Sequence, residues 1–297
     1  MNPQPDSCAM RLFRKVGWDP AAWALRRFYC PVAKRDLVLE VGSGGNPYFR
    51  SNVLCDAYRE TSERHFEPLI HDRPTILAFT EDLPFRNDSF DFVIASHVLE
   101  HSEHPDRFLS EIQRVGKAGY IEVPDAFFER IVTYRCHRLE ISERKGVLLI
   151  RKKRGYIQDK ELYNLFDCRV GRLFSRLVAR HPFEFHVRCY WTRASGGIKF
   201  EILNPEYEFD WSLPTPEPGS PISGLGAHWR RLAVGCLRRT LSQSRRNRAL
   251  DVLTFLECIK CRSARLEKQP GRVKCRDCGS NYGLSREGII DFTNAAV

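Results

Sequence analysis

The stretch LVLEVGSGG, residues 37–45, decides the fold that the sequence predicts. A short apolar run that ends in a cluster of glycines is typical of a buried strand followed by a tight turn. Four similar apolar segments follow, each bounded by charged or turn-forming residues: 52–57, 75–81, 90–96 and 119–125. Near-continuous apolar strands suit a parallel sheet that is buried on both faces. The sequence therefore predicts an α/β fold with a doubly wound, mostly parallel sheet.

Helices and two further strands are predicted around this sheet. Asp19-Pro20 indicates a helix that runs to about Tyr29, because an N-cap carboxylate and a first-turn proline favour a helix start. Apolar residues at helical spacing predict a second helix at about 105–115. Residues 126–180 indicate mainly helix. Residues 185–203 indicate two strands around a Ser-Gly-Gly turn, which we assign to the same sheet as its final antiparallel hairpin.

The C-terminal part of the chain begins with a Pro-, Gly- and Ser-rich segment at 214–226, which is typical of a linker. A basic amphipathic helix is predicted at about 227–250, and its arginines lie opposite an apolar face formed by Trp229, Leu232, Cys236, Leu237 and Leu241. Three roles stay open for this helix. It is packed on the core with a solvated basic face, lies on a membrane surface, or binds nucleic acid.

Polar residues at the ends of the first two strands indicate a ligand site. Glycines after a buried strand let the backbone approach a ligand closely, and a carboxylate near a strand end, such as Glu40, needs a polar partner. A dinucleotide fingerprint requires glycine at position 47, where this chain has proline, so the loop is not a standard NAD site. Asp56 ends the second strand, where a carboxylate typically accepts both hydroxyls of a ribose.

The order and spacing of four motifs resemble class I S-adenosylmethionine-dependent methyltransferases, in particular the broad type 11 group. The motifs are EVGSG at 40–44, Asp56, EDLPFRNDSFDFVIASHVLEH at 81–101 and GYIEVP at 119–124. This resemblance covers roughly residues 35–125 and implies a Rossmann-like catalytic fold. The cofactor-binding residues that it implies are Glu40, Gly42, Ser43, Gly44, Asp56, Thr80, Glu81, Asp82, Leu83 and Ser96.

The same resemblance implies a role for each part of the site. Glu40 lies near the amino-acid moiety of S-adenosylmethionine, the glycines form the floor, and Asp56 holds the ribose hydroxyls. Residues 80–83 surround the adenine, and Ser96 and His97 face the methyl-bearing end. Many methyl transfers need only positioning, because the sulfonium centre already carries an excellent leaving group.

The chain departs from the family pattern at two places. Many relatives have an aspartate where this chain has Phe79, which affects the contact to the adenine amino group. Only about eight residues separate the first two predicted strands, whereas a helical crossover needs a dozen or more, so the first helix is reduced to a turn or the strand ends differ. These departures support an alternative reading, in which the fold is catalytically inactive and serves as a scaffold for nucleic acid or a protein partner.

The sequence HVLEH at 97–101 also matches H-x-x-E-H, a pattern of zinc peptidases in which two histidines on one helical face hold the metal. A third protein ligand is required, and Glu111 is the residue that can be nominated. We favour the methyltransferase reading, in which HVLEH begins a helix after the fourth strand. His97 and His101 then stay candidates for a catalytic base or an acceptor contact, with a plain structural role as the alternative.

The tail contains Cys258-x2-Cys261 and Cys275-x2-Cys278, separated by thirteen residues. Two such pairs at this distance predict a closed, structural zinc site with four thiolates, and a pair of redox dithiols is the alternative. Residues 255–293 also resemble the small zinc-ribbon activator found with tRNA, rRNA and release-factor methyltransferases, here fused in cis. That resemblance implies a stabilising or substrate-presenting role.

The charge of the chain favours an anionic partner. The 47 Lys and Arg residues exceed the 37 Asp and Glu residues, which gives a formal net charge of +10. Nucleic acid and an acidic lipid surface both suit such a charge, and an unremarkable basic surface is the alternative. No apolar run reaches membrane-spanning length and the N-terminus lacks a signal-peptide core, so we expect a cytoplasmic protein without a transmembrane segment.

These observations predict a methyltransferase with a structural zinc ribbon and an unidentified acceptor, which is a small molecule, a lipid-linked molecule or RNA. We expect the methyltransferase domain at 1–213, with a core at 35–125 and an acceptor-side region at 126–213. A linker and the basic helix are expected at 214–252, and the zinc ribbon at 253–297.

Overall fold

The computed structural model describes residues 6–61, 64, 67–155, 160–210, 234–238 and 240–296. The chain divides into two compact units, each assembled from separate segments. Unit 1 consists of Met1–Pro31, His97–Glu103 and Ile121–Glu217. Unit 2 consists of Val32–Ser96, His104–Tyr120 and Pro218–Val297. The domains predicted from the sequence were assigned by proposed role, whereas these two units are defined by compactness, so the predicted domain bounds stay a prediction.

Unit 2 contains the parallel sheet that the apolar segments predict. Its strands are β1 (Val38–Val41), β2 (Val53–Asp56), β3 (Thr75–Leu77) and β4 (Phe92–Ser96), followed by the first residues of β5 (Ala118–Pro124). The order in the sheet is β3-β2-β1-β4-β5, and β1 is parallel to both β2 and β4. Helix α3 (Pro105–Val115) lies between β4 and β5 in the chain, as predicted. The α/β, Rossmann-like fold class is therefore confirmed.

Burial explains why these segments form strands. Every residue of β1, β2 and β3 is buried, including the strand-end acids Glu40 and Asp56. Helix α3 contributes one apolar face, with Phe108, Leu109 and Ile112 at most 1% exposed. Because both faces of the sheet are covered, near-continuous apolar strands are stabilised at roughly 25 cal/mol per Å² of apolar surface removed from water.

The connection from β1 to β2 contains no helix, as the short spacing indicated. Residues 42–52 form turns, and Asn52 enters β2 with its side chain hydrogen-bonded to the C-terminal helix α7 (Ser244–Ala249). Its amide nitrogen donates to Asn247 Oδ1 at 2.7 Å, and its Oδ1 accepts from the Val38 amide at 3.0 Å. A later segment of unit 2 thus satisfies polar groups at this strand entry.

Four antiparallel strands at the C-terminus extend the same sheet. They are β10 (Leu266–Gln269), β11 (Arg272–Cys275), β12 (Asn281–Leu284) and β13 (Ile290–Ala296), in consecutive order. β13 pairs in parallel with β3, with Ile290 opposite Ile76 and Asp291 opposite Leu77. The cysteine-rich tail therefore covers an edge of the parallel sheet that would otherwise present unpaired backbone groups.

Unit 1 contains helices α1 (Cys8–Lys15), α2 (Asp19–Leu25), α4 (Ala126–Ile131), α5 (Lys160–Phe166) and α6 (Arg172–Arg180). The helix predicted from Asp19 continues as a 3₁₀ turn over Arg26–Phe28. The helices α5 and α6 are joined by a π-helical turn over Asp167–Gly171. The second half of β5 also belongs to this unit, and its neighbour in the sheet is β8 (His186–Thr192).

The prediction of mainly helix at 126–180 is wrong for its middle part. Strands β6 (Leu139–Arg144) and β7 (Val147–Lys152) form an antiparallel hairpin there. Buried residues alternate with half-buried ones over 139–142 and 147–150, and Lys145 and Gly146 form the turn with φ of 53° and 80°. A two-residue turn with positive φ at both positions matches the right-handed twist of a hairpin.

The two strands predicted at 185–203 exist, but they do not form a hairpin. β8 lies in the large sheet, whereas β9 (Lys199–Ile202) pairs in parallel with β7 in a separate three-stranded sheet. The turn between them, with left-handed Gly196 and Gly197, sends the chain to a different partner. Local sequence predicted the strands correctly, and a long-range pairing decided where each strand lies.

The predicted linker at 214–226 lies outside the described residues, as do Trp229 and Leu232 of the predicted basic helix. In the described remainder, the chain is helical over 234–238, and Gln243 with φ of 52° precedes the separate helix α7. Leu237 and Leu241 are 41% and 48% exposed, so the predicted apolar face is not buried there. No helix in the described part of the chain has the length and apolar character needed to cross a bilayer.

Candidate functional site

The glycine loop after β1 is held by the buried carboxylate of Glu40. Its Oε2 accepts a hydrogen bond from the Tyr48 amide at 2.8 Å and a second, short one from the Ser51 hydroxyl. Gly42 and Gly44 adopt φ of 64° and 54°, which side-chain-bearing residues rarely adopt. Glu40 therefore fixes the path of the loop, and the glycines allow the turn that brings loop amides to the carboxyl ends of the strands.

Asp56 joins the glycine loop to the end of β2. Its Oδ2 accepts from the Gly44 amide at 2.9 Å, and its Oδ1 accepts from the Tyr58 amide at 3.1 Å. The Arg64 guanidinium also lies on this carboxylate, with Nη1 to Oδ1 at 3.0 Å. The structure thus brings Gly44 and Asp56 together as the sequence predicts, and it adds a cation that the sequence did not reveal.

The predicted adenine loop follows β3 as a 3₁₀ turn over Thr80–Asp82. Leu83 is fully buried, and its amide donates to Glu111 Oε2 at 2.8 Å while its carbonyl accepts from Arg114 Nη2 at 2.9 Å. The Arg262 side chain of the cysteine-rich tail forms an ion pair with Asp82. This loop is therefore held from both sides by charged groups of unit 2.

Two exposed aromatic rings lie beside these residues. Tyr58 and Phe79 are 45% and 43% exposed, and their rings meet edge to face with centroids 5.8 Å apart. Each of the two residues follows the end of its strand by two positions, Tyr58 after β2 and Phe79 after β3. In the sequence, Phe79 stands out only as a departure from the family pattern, and the one signal for Tyr58 is its position two residues after Asp56. The pair offers an apolar surface suited to a flat aromatic ligand.

In unit 1, His97 lies between two buried carboxylates. Its Nδ1 is 3.5 Å from Glu100 Oε1, and its Nε2 is 3.3 Å from Glu122 Oε1. Burial opposes the charged ring, but hydrogen bonds and the charges of both carboxylates outweigh it and raise the pKa of His97 to about 9. His97 is therefore an imidazolium at neutral pH, despite a side chain that is 41% exposed.

Arg26 completes this charged group. It holds Glu122 in a bidentate pair, with Nε to Oε2 at 2.7 Å and Nη2 to Oε1 at 3.0 Å. Burial opposes ionisation of Glu122, yet the hydrogen bond from His97 and the charge of Arg26 lower its pKa well below the usual range. The sequence contained no sign of this partnership between residues that lie far apart in the chain.

HVLEH does not form an α-helix. His97 has φ of 55°, and only Leu99–His101 form a single 3₁₀ turn. Among the described residues, two clusters of side chains are close enough to share a metal ion, and neither contains His97. Glu111, the nominated third ligand, is paired with Arg114 in unit 2. The zinc-peptidase hypothesis is therefore wrong for this pattern.

The four predicted cysteine ligands converge in unit 2. Cys258 Sγ is 3.5 Å from Cys278 Sγ, and Cys261 Sγ is 3.6 Å from Cys275 Sγ. These separations are too long for a disulfide, at about 2.05 Å, and close to the spacing of roughly 3.8 Å between thiolates around a tetrahedral zinc. The Tyr282 hydroxyl lies 2.9 Å from Cys258 Sγ, as a polar partner of a thiolate ligand does. The donor set therefore fits a structural metal.

Comparisons with known proteins agree with the motifs. Residues 49–121 match the family model described as a methyltransferase domain. An uncharacterised protein of Methanocaldococcus jannaschii is 46% identical over 44 residues, which is 15% of this chain and 22% of the relative's own length. The matched part thus spans less than a quarter of that relative.

Two solved structures are similar at low identity. A chain from the complex between the Haloferax volcanii Trm112 methyltransferase activator and a protein described with it as a methyltransferase is 18% identical, with 65% of this chain and 93% of that chain covered and a TM-score of 0.37. An S-adenosylmethionine-dependent methyltransferase from Thermotoga maritima is 19% identical, with coverages of 40% and 57% and a TM-score of 0.28. The similarity that can be assigned to a family is therefore the match of residues 49–121 to a methyltransferase domain.

Proposed function

We propose that the chain is an S-adenosylmethionine-dependent methyltransferase whose cofactor is bound by unit 2. The observation that carries this proposal is the meeting of the glycine loop and Asp56 at the carboxyl ends of β1 and β2. Asp56 lies within residues 49–121, which match a methyltransferase domain, and the glycine loop lies just before them. Ligands of open α/β sheets bind at that edge. The proposed cofactor residues are those that the family resemblance implies: Glu40, Gly42, Ser43, Gly44, Asp56, Thr80, Glu81, Asp82, Leu83 and Ser96.

In this proposal the chain's own residues bind and orient. The cofactor supplies an electrophilic methyl group on a sulfonium centre. Asp56 binds the ribose hydroxyls. The Tyr58 and Phe79 rings contact the adenine, in place of the aspartate that many relatives have at position 79. His97 follows Ser96 directly in the chain, and its positive charge suits an anionic or electron-rich group of the acceptor better than it suits proton abstraction.

The four-cysteine cluster is proposed to hold a structural zinc. Zinc bound by four thiolates has no open position, so its contribution is to fold the short strands β10–β13. Because β13 pairs with β3 and Arg262 pairs with Asp82, folding of the tail supports the loop proposed to hold adenine. The ribbon thus stabilises the cofactor site from within the same chain.

The acceptor is proposed to be anionic or bound next to an anionic surface. The net charge of +10 supports nucleic acid or an acidic lipid surface as partner, with a small-molecule, lipid-linked or RNA acceptor. Binding of RNA would weaken steeply with salt, because each neutralised phosphate releases counterions. Titration of RNA at two salt concentrations separates an RNA acceptor from a neutral small molecule.

An inactive scaffold is the second candidate function, and the ion pair between Arg64 and Asp56 favours it. A guanidinium that occupies the carboxylate proposed to bind ribose is compatible with a site that no longer binds the cofactor. The deciding experiment is calorimetric titration of S-adenosylmethionine into the zinc-loaded full chain and into Asp56→Ala. Binding that the variant abolishes supports the enzyme, and no binding by the folded chain supports the scaffold.

A control variant separates loss of the ribose contact from loss of charge in general. Asp72→Ala removes a carboxylate of unit 2 that pairs with Arg73 and takes no part in the proposed site. It is expected to bind the cofactor as the unmodified chain does. If Asp72→Ala and Asp56→Ala weaken binding equally, the effect is electrostatic and the assignment of Asp56 fails.

A further inference from the structure

A second cluster of metal-ligating side chains lies in unit 1, far in sequence from the four cysteines. The ligand atoms of His101, Cys136 and His137 all lie within 4.8 Å of one another. His101 ends the 3₁₀ turn after β4, and Cys136 and His137 lie shortly before β6. The rings of the two histidines meet edge to face, with centroids 4.7 Å apart.

The orientation of His137 is set by a buried carboxylate. Its Nδ1 lies 2.6 Å from Glu129 Oε2, and the Glu129 side chain is only 1% exposed. Glu129 is itself held by the Tyr134 amide and by an ion pair with Lys153. Because Nδ1 is used in this way, Nε2 is the nitrogen left to bind a ligand. A carboxylate on the far nitrogen is the usual outer partner of a metal-bound histidine.

The charged side chains near the cluster are paired with one another. Glu100, which directly precedes His101 in the chain, is 2% exposed and its Oε1 lies 3.5 Å from His97 Nδ1. Arg138 lies 3.1 Å from Glu103, and Lys153 forms an ion pair with Glu129. A Cys136 thiolate would therefore supply the negative charge that offsets a bound cation.

We propose that His101, Cys136 and His137 form a three-ligand site for a transition-metal ion such as zinc. Two nitrogens and one thiolate are ligands that zinc prefers, and three protein ligands leave a fourth position open for an oxygen ligand. Tetrahedral zinc places its ligands roughly 3.3–3.6 Å apart. The cluster needs shifts of about 1 Å to reach that spacing, which side-chain rotation at partly buried positions supplies.

The test is to count metal ions in the full chain. The chain is stripped with a chelator, reloaded with Zn²⁺, freed of excess metal and analysed by atomic emission. Two ions per chain are expected, one at the four cysteines and one at the new site. Cys136→Ser and His137→Ala are each expected to retain one. The matched controls Cys189→Ser and His181→Ala, in the same unit, are expected to retain two.

Cobalt gives an independent readout on the unmodified chain, which remains informative even if a variant fails to fold. With Co²⁺, thiolate charge-transfer absorption of the unmodified chain should report five thiolates, and Cys136→Ser should remove about a fifth of it. A single metal ion in the unmodified chain, or a second ion that both Cys136→Ser and His137→Ala retain, overturns the proposal. A cobalt spectrum of the unmodified chain that saturates with one ion and four thiolates overturns it as well.

Discussion

The ion pair between Arg64 and Asp56 leads to the prediction that removal of the Arg64 side chain strengthens binding of the proposed cofactor. The Arg64 and Asp56 side chains are 13% and 9% exposed, and their contact distance is 3.0 Å. A hydrogen bond to a charged group at such a site is worth about 1.5–3 kcal/mol. In the proposed site, ribose hydroxyls compete with Arg64 for Asp56, so the energy of this ion pair opposes cofactor binding.

Arg64→Ala removes that cost and is expected to tighten S-adenosylmethionine binding by roughly tenfold to a hundredfold, since 1.4 kcal/mol corresponds to a factor of ten. Calorimetric titration measures this change. Arg59→Ala is the matched control, because Arg59 is half exposed and pairs with Glu287, and its affinity should stay within about twofold of the unmodified chain. Unchanged or weaker binding by Arg64→Ala would refute the reasoning and make Arg64 a part of the cofactor site.

Three further predictions follow from the two units. Cys275→Ser should unfold the tail and lower the midpoint of thermal unfolding, as a chelator should. Cys236→Ser, at an exposed cysteine, should leave both the fold of the tail and the midpoint unchanged. The raised pKa of His97, about 9 against an unfolded value of 6.5, gives stability that is fully present below about pH 6.5 and is lost as the pH rises to about 9. The free energy of unfolding, measured with denaturant across that pH range, should fall in the unmodified chain and not in His97→Gln. Parallel pH dependences of the two proteins would contradict this prediction. Phe79→Ala should weaken cofactor binding by about 1–3 kcal/mol, the usual worth of an aromatic ring against a base, while Phe127→Ala in unit 1 should not.

Local sequence predicted the parallel sheet because its strands are buried on both faces, so that burial leaves a continuous apolar run. The hairpin over 139–152 was missed even though its signal was present. Leu139 and Ile141 alternate with half-buried residues, and Lys145-Gly146 supplies the turn. The period-2 pattern is short and interrupted by charges, so it does not stand out from the helical segments on either side.

Pairings between distant residues could not be predicted in the same way. Arg26 meets Glu122 across 96 positions, and β9 leaves β8 to pair with β7. The convergence of the four cysteines was predictable because metal-binding cysteines follow a short, regular spacing. The cluster around His137 has no such spacing, because its members come from separate segments of unit 1, and only the folded chain brings them together.

The tail and the proposed adenine loop form one mechanical assembly within unit 2. Arg262 directly follows Cys261 of the four-cysteine cluster and contacts Asp82 and the Leu83 carbonyl, while β13 continues the sheet from β3. A separate activator would lose translational freedom each time it associates, whereas a ribbon in the same chain is always present at high effective concentration. If the four cysteines bind zinc as proposed, folding of the ribbon acts directly on the segment after β3. The tail would then support the proposed cofactor loop in a chain that lacks the first crossover helix.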